Sequence, residues 1–155
     1  MSCTRALSAC ALALVGTACG PSEPGHYYEL AAAARADACG GLRRGDDGLV
    51  TYRLVADGAE VELWVAGEAS AFATGTLRSC TLTYASREIT EARDVGSITW
   101  RLTGEATVTA GDGCAAGEGW VGAEVVEVVE SSSPTVPAGC QVEVDVEGAW
   151  VGEVR

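Results

Sequence analysis

From residue 49 onward, apolar and polar residues alternate one by one. The clearest run is Ser97–Thr109. Ile98, Trp100, Leu102, Ala106 and Val108 fall on one face, and Thr99, Arg101, Thr103, Glu105, Thr107 and Thr109 on the other. A repeat of two belongs to a β-strand with one buried side and cannot be met by the 3.6-residue turn of a helix. Val50, Tyr52 and Leu54 show the same pattern, as do Val61, Leu63 and Val65. Between these two runs lies Asp57-Gly58, a dipeptide suited to a tight hairpin turn. Further strands are expected at residues 76–84, 120–129 and Gln141–Val154, the last with Val142, Val144 and Val146 opposite Glu143, Asp145 and Glu147. Gly104 within its strand, and the Val125-Val126 pair that breaks alternation, are expected bulges. Residues 88–96, 110–119 and 130–139 read as connections.

The stretch before residue 49 has a different character. Residues 26–39, HYYELAAAARADAC, are rich in alanine, the best helix former, and Gly40-Gly41 supplies a stop. Tyr27, Leu30, Ala31, Ala34 and Ala38 would share one helical face, so a short N-terminal helix is expected there; a strand beginning at 27–30 is the alternative. The fold class expected is therefore all-β: an antiparallel six-stranded meander, barrel-like or sandwich, with one short N-terminal helix. The helix would cover an opening or an edge.

Charge excludes one broad class of partner. The chain has 155 residues and a formal net charge of −12. Arg5 is the single charge before Cys19, so the remainder is more acidic still. Such a chain is repelled by phosphate backbones, which argues against nucleic acid as a partner. No apolar run reaches the ~20 residues of a membrane-spanning helix.

Residues 1–18 combine one arginine, an apolar run and small residues at the end, the layout of a secretory signal peptide. The junction Gly16-Thr17-Ala18-Cys19 resembles the lipobox of bacterial lipoproteins. That resemblance implies a lipid-modified Cys19 as the mature N-terminus, anchored in the cell envelope. Gly20 after the cysteine implies an outer-membrane lipoprotein facing the periplasm or the exterior. Residues 20–25, GPSEPG, read as a short tether, so residues 19–25 form the lipidated cysteine and tether, and 26–155 a single disulfide-stabilised β domain. Cleavage after Ala18 without lipidation, giving a soluble secreted protein, is the alternative.

Cysteine arithmetic bears on that choice. The chain has 7 cysteines. Cys3 and Cys10 leave with the leader, and lipidation of Cys19 leaves Cys39, Cys80, Cys114 and Cys140, an even set for two disulfides in an oxidising compartment. In the expected meander, Cys39 and Cys114 emerge at the same end, and Cys80 runs toward the end that holds Cys140. Bridged Cα atoms lie within ~7 Å, so Cys39–Cys114 and Cys80–Cys140 are the expected pairs.

Few residues offer chemistry. His26 is the single histidine and sits at the tether, so no Ser-His-Asp or Cys-His arrangement forms within the domain. The cysteines are spaced as disulfides and not as metal ligands, and the acidic loops at 45–48 and 111–113 lack calcium-site spacing. No cofactor and no metal are expected. Glu143, Asp145 and Glu147, beside Glu124 or Glu130, could form a glycosidase-type acid pair; a solvated face that blocks aggregation is the simpler reading. Trp64 shares a face with Glu60 and Glu62 and is the candidate binding surface, since an exposed tryptophan stacks on sugars or anchors partners. Trp120-Val121-Gly122 recurs as Trp150-Val151-Gly152. The function expected is non-enzymatic: an envelope-anchored domain that binds a partner or small ligand. A structural or assembly factor without a pocket and an acid-pair hydrolase are the alternatives.

Overall fold

The computed structural model of the protein describes residues 23–40, 42, 49–109 and 119–154. The chain forms strands β1 (Gly25–Asp37), β2 (Leu49–Asp57), β3 (Glu60–Val65), β4 (Ala73–Arg78), β5 (Thr81–Ser86), β6 (Ile89–Ala92), β7 (Ser97–Thr109), β8 (Gly119–Ser131) and β9 (Gln141–Val154). The sheet order is β5-β4-β3-β2-β1-β9-β8-β7-β6, and a further pairing of β5 with β7 closes it. The result is an eight-stranded antiparallel barrel in which neighbours in space are neighbours in sequence, sealed where β1 meets β9. β6 is the extra strand. It pairs with β7 from Ser97 to Trp100, and β5 takes the same edge from Thr103 to Thr107.

All-β architecture is as the alternation requires, but the six-stranded meander is not. The expected helix at 26–39 is strand β1. The side chains it gives the core, Tyr28 and Leu30, are two residues apart; Tyr27 is buried outside that cluster, and Ala31 is exposed. Alanine's helical preference over strand formers is worth only about 1 kcal/mol or less per residue. β1 is paired along its length, with β2 from His26 to Ala31 and with β9 from Gly25 to Asp37. That pairing removes both free edges of the sheet at once and overrides local propensity.

The strand expected at 76–84 is two strands joined at Ser79-Cys80. Both turn residues have positive φ, 49° and 65°. A two-residue hairpin turn with positive φ at both positions ordinarily announces itself with Asn-Gly or Asp-Gly, and Ser-Cys hides it. Asp57-Gly58, by contrast, marks the β2–β3 hairpin as expected, with Gly58 at φ 64°. The polar connection expected at 88–96 contains β6.

Neither expected bulge is where the sequence placed it. Pairing runs unbroken through Gly104 and through Val125 and Val126. The β7–β8 register shifts instead between Thr99 and Trp100. Trp120, Glu124, Val126 and Val128 therefore all point inward.

An eight-stranded barrel is just wide enough for side chains to fill, and this one is filled. Trp120 lies at the centre, fully buried. Tyr28, Tyr52 and Tyr84 meet it edge-on, with ring centroids at 5.4, 6.0 and 5.9 Å. Leu54, Leu63, Leu82, Leu102, Val108, Val128 and Val144 pack around them.

The barrel has two ends. At one lie Gly25, Val154 and the turns after Asp57 and Arg78. At the other lie Cys39, Cys140 and the connections 66–72, 87–88 and 132–140. Cys39 is bonded to Cys140, with Cα atoms 5.1 Å apart. Both expected pairings, Cys39–Cys114 and Cys80–Cys140, are thereby corrected. With β1 a strand and the 76–84 segment a hairpin, the ends at which later cysteines emerge change. Cys39 follows β1 and Cys140 precedes its antiparallel neighbour β9, and Ala38 N donates to Gln141 O at 3.0 Å to hold them side by side. Cys80 is also disulfide-bonded. Its carbonyl accepts from Val108 N at 2.8 Å, which places it beside the end of β7. Cys19 and Cys114, and the acidic loops at 45–48 and 111–113, lie outside the described residues.

Candidate binding cleft

At the Cys39–Cys140 end the barrel is not packed to its rim. β5 leaves β7 after Thr103, β6 joins it at Trp100, and the crossing is pinned by Leu102 N donating to Ser86 Oγ at 2.8 Å. The opening is a cleft of about 510 Å³. Its floor and walls are Val50 and Tyr52 from β2, Val65 from β3, Phe72 before β4, Ile89 from β6, and Trp100 and Leu102 from β7. Its polar members are Glu68, Ser70, Arg87 and Glu91. The aromatic part is continuous with the core, since Tyr52 and Phe72 have ring centroids 4.9 Å apart.

The polar groups differ in how they are held. Trp100 Nε1 donates to Glu91 Oε1 at 2.9 Å, and Arg93 Nη2 meets Glu91 Oε2 at 3.3 Å. Glu91 is thus neutralised and fixes the indole against the cleft wall. Arg87 is held at its backbone, with N donating to Phe72 O at 3.2 Å, and its Nη2 reaches Ser70 Oγ at 3.4 Å. Its guanidinium forms no ion pair with any described residue. The arrangement offers an apolar bed whose rim carries one cation, Arg87, and the carboxylate of Glu68.

A smaller depression of about 290 Å³ lies over β1, β9 and β8, lined by Ala31, Ala32, Ala33, Val121, Gly122, Asp145, Val146 and Glu147. It has no aromatic or cationic side chain.

The residues singled out from the sequence are scattered around the molecule. Trp64 does share a face with Glu62, whose Oε2 accepts from Trp64 Nε1 at 3.2 Å. One side of its ring is occupied by Arg53, whose Cζ lies 4.4 Å from the ring centroid. Arg53 is itself buried and pairs with Glu23 Oε2 at 2.5 Å. Trp64 thus serves as a shelf for the ion pair that ties down the start of the domain. His26 belongs to β1 and not to the tether, opposite Leu54 and Glu153.

Glu143 and Asp145 face outward, bridged by Arg35 at 3.2 and 3.4 Å. Glu124 is not beside them: it points into the barrel, fully buried. Glu130 lies beyond the start of β9. Burial pushes the Glu124 carboxyl up from 4.5 to about 8. Tyr84 Oη donates to its Oε1 at 2.6 Å.

In the sequence Tyr52 and Trp100 are ordinary members of the alternating inward rows, and Phe72, Ser70, Arg87 and Glu91 carry no mark of their own. No local signal would have gathered them, because they come from five separate segments. Glu124 did have a signal: it occupies the inward row Trp120, Glu124, Val126, Val128 once no bulge is placed at Val125. Among the described residues, no group of three or more His, Cys, Asp or Glu is arranged to hold a metal ion. In comparisons with protein-family models, curated proteins and solved structures, nothing matches this chain.

Proposed function

We propose that the protein is an envelope-anchored, non-enzymatic binding domain, and that its ligand is a small molecule with an apolar body and an anionic end, held in the cleft at the barrel mouth. The observation that carries this reading is the cleft itself. About 510 Å³ of space opens at the end of an otherwise filled barrel. Ligand sites are typically clefts of ~300–1,000 Å³, mostly apolar with a few placed polar groups, and barrel mouths are a common place for them. Val50, Val65, Ile89 and Trp100, the part-exposed apolar residues of the cleft, would take the apolar body over a floor of Tyr52, Phe72 and Leu102, and the Arg87 guanidinium, which forms no ion pair with any described residue, would meet the anion. Glu91 is committed to Trp100 and Arg93, so its role is to position the indole.

The test uses 1-anilinonaphthalene-8-sulfonate, an aromatic anion whose fluorescence rises on leaving water. The folded protein should bind one equivalent in the micromolar range. Arg87→Ala should weaken binding about tenfold, the loss of roughly one charge-assisted hydrogen bond. Val65→Trp, which fills the cleft, should abolish it. Equal dye binding by Val65→Trp at unchanged thermal stability would refute the assignment.

A further inference from the structure

The barrel end opposite the cleft exposes apolar side chains where a closed barrel has no need of them. Trp150 is 41% and Val151 48% exposed, although they are consecutive residues of β9 and would ordinarily face opposite sides. The cause is an irregularity in the pairing with β1: Tyr28 opposes Trp150, Tyr27 opposes Gly152, and Val151 is left without a partner between them. A bulge re-aims side chains in this way. β8 no longer covers this part of β9, because its pairing ends at Gly119 opposite Ala149. Both side chains thus present exposed apolar surface at the tip of the barrel.

The chain enters the domain at the same end. Gly25 opposes Val154, and Tyr27 opposes Gly152. The point where the chain enters is fixed, because Glu23 is bound to Arg53 at 2.5 Å and its carbonyl accepts from Tyr27 Oη at 2.8 Å. Only residues 20–22 separate Cys19 from Glu23. Four residue steps span at most ~14 Å, so an anchor at Cys19 holds this end of the barrel at the bilayer surface.

We infer that the tip formed by Trp150 and Val151 rests in the interface of a lipid bilayer, and that the cleft consequently opens away from the membrane. The inference rests on the envelope-anchored reading and adds an orientation to it. Tryptophan suits the headgroup level of a membrane, where its ring is half in apolar and half in polar surroundings. Among the described residues, Asp57, Glu60 and Glu153 carry acidic charge at this end against Arg78, beside the mutually paired Glu23 and Arg53. The surface it fits is therefore a zwitterionic one and not one rich in anionic lipid.

The experiment takes the exported chain from Cys19 onward and couples the Cys19 thiol to a maleimide lipid in phosphatidylcholine vesicles. The geometry is then read whether or not cells acylate Cys19. Phosphatidylcholine brominated near the headgroup end of its chains should quench tryptophan fluorescence. Trp150→Phe should lower that quenching at least twofold, and Trp100→Phe should leave it unchanged. Equal quenching in Trp150→Phe, quenching that follows Trp100, or a paired assembly that shields Trp150 from lipid would each overturn the inference. Failure of the anchor reading shows separately, as Cys19→Ala leaving membrane fractionation in cells unaltered.

Discussion

The hydroxyl of Tyr84 on β5 donates a 2.6 Å hydrogen bond to Oε1 of Glu124 on β8, across an intervening strand. Gly104 of β7 makes this reach possible. It lies directly opposite both residues, Tyr84 on one side and Glu124 on the other. A Cβ at Gly104 would run into the Tyr84 ring. The bare glycine lets the ring lie flat across its strand and places the phenol over the carboxyl. Gly104 thus marks a close approach of side chain to backbone and not a break in pairing.

Glu124 ties stability to pH in the direction opposite to a paired surface carboxylate. Its carboxyl loses its proton at about 8 in the folded protein, against 4.5 ordinarily. Between those values the folded state holds one proton more than the unfolded state. The contribution is therefore fully present below the lower value, declines by about 1.4 kcal/mol per pH unit between them, and is lost as pH rises through the upper one. Thermal melts should show the wild type losing stability from pH 5 to pH 8. Glu124→Gln keeps an acceptor for Tyr84 and removes the ionisation, so its profile should be flatter and its stability higher at pH 8. Parallel profiles for the two proteins would rule Glu124 out as the source.

The turn at Ser79-Cys80 holds two non-glycine residues in the left-handed region, with φ at 49° and 65°. Each residue so placed costs about 1 kcal/mol relative to glycine. Ser79→Gly should raise the melting temperature by a few degrees. A lower melting temperature would mean that the Ser79 side chain contributes more than its backbone costs.

How much of this was legible beforehand depends on where each signal resides. β2, β3, β7 and β9 were readable because Tyr52, Leu54, Leu63, Leu102 and Val144 repeat every second residue, and Asp57-Gly58 announces its own turn. β1 was readable only as the alternative, a strand beginning at 27–30, because Ala31–Ala34 look helical in isolation, and only β2 and β9, which arrive later in the chain, make them a strand. The β4–β5 hairpin was hidden by Ser79-Cys80. Trp64 stood out in the sequence, and one face of its ring holds Arg53. The cleft was illegible because Arg87, Trp100 and Phe72 are unremarkable where they stand and become a site only when the barrel closes.

The Cys39–Cys140 bond spans 101 residues and joins the two strands that seal the barrel. Constraining a loop of that length typically stabilises by about 2–5 kcal/mol. Cys39→Ser with Cys140→Ser should lower stability by that amount and fray the β1–β9 seam first, seen as faster amide exchange at residues 32–38 and 141–146. A non-reduced digest should yield the Cys39–Cys140 peptide, with Cys80 in a separate bridged peptide. A Cys39–Cys114 peptide would contradict the strand order.

The most direct test of the binding assignment is to map the dye site residue by residue. Amide resonances of the folded protein are followed as 1-anilinonaphthalene-8-sulfonate is added. The cleft reading expects shifts concentrated at residues 50–52, 65–72, 87–91 and 100–102, saturating at one equivalent. Shifts centred on Trp64 or on the outer face of β8 and β9, or no saturable shifts at all, would contradict it.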